Sequence, residues 1–123
     1  MLAMHRKYRH YVAMRSKTHF VNGIPEMLLL RLLSHEEMYG YQLVEAIHRR
    51  SEEVFQFGEG CLYPILHKLA ADGYLTSRRE VVDGRPRHYY KISPKGRKQL
   101  ESMSEAWRGV VRGTEAILGV QYA

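Results

Sequence analysis

Apolar positions along the chain keep a helical spacing over three stretches, give way to two β-prone runs, and return to helical spacing at the end. Pro25 suits the first turn of a helix, where its missing N–H costs nothing, and that helix should run over about residues 25–33. Met27, Leu28, Leu29, Leu30, Leu32 and Leu33 occupy nearly every side of it, which predicts the central element of a core. A polar connection over residues 34–38 leads to a second helix over about 39–50, with Gly40, Leu43, Val44 and Ile47 on one stripe. Gly58 and Gly60 mark a turn. A third helix over about 61–72 buries Leu62, Ile65, Leu66 and Leu69 by the same spacing. Pro64 is tolerated only in a first turn, which sets the expected start near Cys61, and Gly73 is the natural stop.

The two β-prone runs, over 75–82 and 87–92, flank the turn dipeptide Asp83-Gly84, with Arg85 and Pro86 extending the tip. Ser93-Pro94 reads as an N-cap and first helical residue of a last helix reaching about residue 118. On that helix Leu100, Met103, Trp107, Val110, Thr114 and Ile117 alternate steps of three and four, a short heptad seam. A small domain offers such a seam no internal partner, so the same helix of a second chain is the expected one. The fold class is therefore mainly α with a small two-stranded β-wing (α+β), a winged helix-turn-helix followed by a long dimerisation helix. The expected division is a basic N-terminal extension over residues 1–22, read as an arm or an extra helix, a winged-helix DNA-binding domain over 23–93 and a C-terminal dimerisation helix over 94–123.

Charge sharpens this picture. The net charge of +6 is segregated: residues 1–20 and 84–100 hold lysines and arginines without a single acid, while 26–59 is net acidic. One basic face is expected, facing a polyanion. The lone Cys61 excludes an internal disulfide and fits a reducing cytosol. The apolar run of residues 27–30 is too short for a bilayer, and no secretory pattern is visible; the acid-free start also has the character of an organellar transit peptide. His5, His10 and His19 match no ligand spacing, so no metal and no cofactor are expected. No nucleophile–base pair or phosphate loop appears either, and the chain does not read as an enzyme.

The chemistry sits on the third helix. Gly60, Tyr63, Pro64, His67, Lys68 and Ala71 project away from its buried stripe, where a solvent face would ordinarily carry Glu and Lys. Small residues at the ends allow close approach to base edges, and Tyr63, His67 and Lys68 can hydrogen-bond. Arg85 and Arg87 at the hairpin tip suit phosphates or a narrow minor groove. Tyr39, Tyr41 and Gln42 at the head of the second helix suit the phosphate backbone. Cys61, at a helix start, is read either as a small packing residue or as a redox-sensitive one. Trp107 is read as an interface residue or as a contact for a small aromatic effector. The three classes left open are a sequence-specific regulator on double-stranded DNA, a non-specific nucleic-acid binder, and a dimeric interaction module.

Tyr39-Gly-Tyr-Gln42, Glu59-Gly-Cys-Leu-Tyr-Pro-Ile-Leu-His-Lys-Leu69, Asp72-Gly-Tyr-Leu75 and Gly84-Arg-Pro-Arg-His-Tyr-Tyr-Lys-Ile-Ser-Pro-Lys-Gly96 closely resemble the PadR family of bacterial transcriptional regulators. The resemblance covers about residues 23–100, with several motifs in the right order. It implies a winged-helix domain, a homodimer joined by the terminal helix, and repression at a palindromic operator in the bacterial cytoplasm, at the nucleoid. It also implies sensing of aromatic or drug-like compounds near the dimer interface. Cys61 departs from the Thr or Ser usual before Leu-Tyr-Pro, and residues 1–22 are longer than the usual lead-in.

Overall fold

A computed structural model describes residues 23–120; the basic extension of residues 1–22, with its histidines, lies outside them. The elements are α1 (Ile24–His35), β1 (Met38–Tyr39), α2 (Gly40–Arg50), α3 (Glu59–Ala71), β2 (Leu75–Val82), β3 (Arg85–Ile92) and α4 (Pro94–Leu118). Pro25 lies in the first turn of α1, as its ring geometry favours. Leu29 and Leu30 are fully buried and Leu33 nearly so, against α2, α3, α4 and β3. The leucine-rich helix is the hub on which every other helix rests.

α2 contributes Leu43, Ala46 and Ile47 to the core, and α3 contributes Leu62, Leu66 and Leu69. Residues 51–58 between them turn through Glu52 and Glu53, both at positive φ, and return Phe57 to the core stacked on Phe55 at 5.5 Å. β2 and β3 pair antiparallel along their whole length around Asp83 and Gly84. Both turn residues have positive φ, 52° and 76°, as the type I′ hairpin requires; Gly and Asp are among the residues that tolerate it.

The sheet has three strands, in the order β1-β3-β2, not two. β1 adds only the pairs Met38 with Tyr90 and Tyr39 with Tyr89. Two residues carry no alternation to detect, but Met38 goes to the core while Tyr39 stays at the rim. Strand β3 also begins at Arg85, so Arg85 and Pro86 belong to the ladder, opposite Val82 and Val81.

Two further expectations need correction. α3 starts at Glu59, after Gly58, so Pro64 stands in its second turn. The amide that Pro64 lacks would have met the carbonyl of Gly60; Gly60 is exposed, so water can take that carbonyl. The seam of α4 is also divided. Leu100 is buried at 8% exposure and Met103 packs on the core, because the first turns of α4 lie against α1. From Trp107 onward the stripe lacks a partner among the described residues. Ser93 fixes this helix in place, its hydroxyl donating to the Gly73 carbonyl at 2.6 Å and accepting the Gly96 amide at 3.0 Å.

Candidate nucleic-acid interface

The head of α2, the outer side of α3 and the upper half of β3 enclose an open cleft of about 640 Å³. Tyr39, Gly40 and Tyr41 form one wall; Glu59, Tyr63 and His67 form the second; Arg85, Pro86, Arg87, His88 and Tyr90 form the third. The outward ridge of α3 and the arginines of the hairpin therefore face one space. Gly60, Cys61, Pro64 and Lys68 are exposed along the same helix but do not line the cleft.

Close packing of α2 on α3 follows from Gly40. A Cβ there would fall 2.3 Å from Cε1 of Tyr63, so only glycine lets the tyrosine ring lie across the start of α2. Tyr63 is thus both a spacer and a ridge residue, 38% exposed. Its phenol is held above the ordinary range by burial and then by the Glu59 carboxylate. The Tyr41 phenol is raised chiefly by its hydrogen bond to Glu45, to which it donates at 3.1 Å. Burial raises Tyr90 in the same direction. All three hydroxyls are therefore protonated and uncharged at neutral pH, so none repels an anion by its own charge; the Tyr41 proton is already donated to Glu45 and Tyr90 is buried.

The cations are less free than their sequence position implies. The Arg87 guanidinium does not extend from a tip; it stacks over the Tyr39 ring at 4.5 Å and is held further above its usual range by a hydrogen bond with Tyr89. Lys68 pairs with Asp72 at 3.1 Å, an exposed contact one helical turn apart that a phosphate can replace at little cost. Gln42 accepts the Tyr39 amide at 3.1 Å and so closes the first turn of α2. The Arg85 side chain makes no hydrogen bond or ion pair among the described residues, and it is exposed at the rim of the cleft.

Sequence reasoning missed Glu59, Pro86, His88 and Tyr90 as cleft residues. Strand alternation held the signal: with Ile92 directed to the core, Tyr90, His88 and Pro86 share its side of β3. Arg85, Arg87 and Tyr89 alternate to the other side, yet both arginines line the cleft, with the Arg87 guanidinium carried over the Tyr39 ring. Among the described residues no three His, Cys, Asp or Glu side chains gather as metal ligands, and no helix is long and apolar enough to cross a membrane.

Comparison with known proteins agrees with this architecture. The transcriptional regulator Rv3488 of Mycobacterium tuberculosis is 36% identical over 97 residues, covering 73% of this chain and 88% of that protein. A transcriptional regulator from Clostridium thermocellum superposes with a TM-score of 0.73 at 26% identity, covering 78% of this chain and 91% of the other. Bacillus subtilis PadR, solved in complex with operator DNA, shares the fold with a TM-score of 0.61 at 21% identity, over 65% of this chain and 46% of that one. The profile of the transcriptional regulator PadR-like family matches residues 29–102. With its winged-helix core and that match in sequence, the chain belongs to the PadR-like family and is a transcriptional regulator, not an enzyme.

Proposed function

We propose that the protein is a homodimeric repressor that binds a palindromic operator through the cleft between α3 and the hairpin. The observation that carries this reading is the convergence of three elements on one open, phenol- and arginine-lined space. In this arrangement α3 enters the major groove, where Tyr63, His67 and Lys68 address base edges and the small Gly60 and Ala71 permit approach. Tyr41 and the head of α2 hold a phosphate, aided by the positive end of the helix. Arg85 and Arg87 engage the backbone or the narrow groove beside it. The related Bacillus subtilis protein seen with operator DNA supports double-stranded DNA as the partner.

The distal half of α4 supports the dimer. Val110 and Ile117 are 57% and 89% exposed, and Trp107 and Leu118 are open beside them, an apolar stripe that a second α4 would cover. Trp107 then lies where a flat aromatic effector could enter, and its occupancy would shift the separation of the two reading heads. Selection from random duplex DNA is the test. Recovery of a two-fold symmetric site with half-sites about one duplex turn apart is expected. Enrichment of no sequence would refute the specific-regulator reading and leave a non-specific binder or an interaction module.

A further inference from the structure

On the side of the sheet opposite the core, one arginine joins three separate elements. Arg78 of β2 donates from Nε and Nη2 to the two carboxylate oxygens of Glu37 at 2.9 and 2.6 Å, and from Nη1 to Glu80 at 2.9 Å. Its guanidinium also lies over the Tyr89 ring at 4.6 Å. Tyr89 meets Tyr39 edge-on at 5.4 Å, and Tyr39 carries the Arg87 guanidinium at 4.5 Å. The result is a continuous ladder, Glu37–Arg78–Tyr89–Tyr39–Arg87, from the connection before α2 to the hairpin arginine of the cleft.

We propose that Arg78, clamped by Glu37, is a positioning residue that sets the angle between the hairpin and α3, and so determines sequence discrimination without touching DNA. This rests on the DNA-binding reading above. Arg78 does not line the cleft, and all three of its donor nitrogens are engaged by carboxylates, which leaves it poorly placed to hold a phosphate as well. Glu37 is held below its ordinary range chiefly by the hydrogen bonds from Arg78, so the clamp is charged at neutral pH.

Geometry explains why an angle needs fixing. The pairing of β1 with β3 ends at Tyr39 and Tyr89, and β3 continues four residues beyond it to Arg85, about 13 Å at strand rise. A tilt of about 10° at that base carries the tip about 2 Å sideways, enough to break a hydrogen bond to a base or phosphate. Among the described residues, the two pairs with β1 and the ladder oppose such a tilt from the α2 side. An exposed ion pair contributes little to folding stability, yet a bidentate fork spanning the sheet constrains direction well.

Glu37→Ala separates this proposal from simple electrostatics. Removing an acid from a nucleic-acid binder ordinarily strengthens binding, whereas loss of the clamp weakens it. The probe is the duplex recovered by random selection with the unaltered full chain, titrated beside a scrambled duplex. For Glu37→Ala the affinity for the selected duplex should fall about fivefold to tenfold, with scrambled-duplex affinity and the salt slope unchanged. Arg78→Gln should match it, and the neighbouring exposed Glu36→Ala should lose nothing. Thermal melting verifies that each variant is folded; should Glu37→Ala fail to fold, Glu37→Gln, which keeps one acceptor, takes its place with a smaller loss in the same direction. Equal or tighter binding of the selected duplex by folded Glu37 variants overturns the proposal. A salt slope reduced in Arg78→Gln overturns it too, by making Arg78 a phosphate contact. An unaltered chain that discriminates no duplex refutes the parent reading, and this proposal with it.

Discussion

α3 and the distal half of α4 both expose aromatic and apolar surface, yet their exposures have opposite physical meaning. On α3 the open rings are a tyrosine and a histidine set among arginines, with water and an anion as natural company. On α4 past Trp107 the open groups are chiefly Val110 and Ile117, seven residues apart, with Leu118 beside them and Thr114 as the one polar member of the seam. Exposure alone does not identify a binding face; the polarity of its edges tells a polyanion surface from a protein surface. The first half of α4 supplies a control, because the same seam there is closed by α1.

The largest effect should come from placing a charge on the distal stripe. Val110→Asp with Ile117→Asp should convert a dimer to a monomer in sedimentation and weaken palindrome binding about 100-fold, a loss typical of interface hot spots. Folding of the winged-helix core should survive, since neither side chain touches it. Leu100→Ala should do the reverse: a loss of about 2–4 kcal/mol in chemical unfolding, from burial and cavity together. A dimer effect of Leu100→Ala at equal stability would contradict the division of α4.

The α3 side can be sharpened by a smaller contrast. Arg85→Ala should weaken binding to all duplexes and reduce the salt slope by about one, whereas Tyr63→Ala should relax base preference at one position by about 1–3 kcal/mol. Smallest is an acid effect at Glu37. Its carboxyl is depressed in the fold from the ordinary 4.5, so its contribution is present above that value and fades as pH falls through the depressed one. Hydrogen exchange at β1 should loosen in that acid window in the native protein, and not further in Glu37→Ala.

Much of this was legible because the informative residues impose periodicity. Six leucine-rich positions made α1 a hub, Asp83-Gly84 placed the hairpin, and Ser93-Pro94 placed the start of α4. β1 was not legible, since two residues have no period. Pro64 points to a helix start near Cys61, two residues late, because an exposed glycine four residues before the proline makes a second-turn position bearable. The state of the cations was hidden as well: sequence shows that Arg87 and Lys68 exist, but only three-dimensional neighbours show Tyr39 and Asp72 occupying them.

The short reach of β1 leaves the flank of β3 beyond Tyr89 without a neighbouring strand among the described residues, a raw border that invites another chain to add itself. In a two-residue hairpin the closing pair, Val82 with Arg85, exchanges hydrogen bonds, so the next residue turns its nitrogen outward. That residue is Pro86, which has no proton to offer there. The imide removes one of the two amides along the border and leaves that of His88 alone, discouraging stacking of copies through their sheets while the cleft stays open to a duplex.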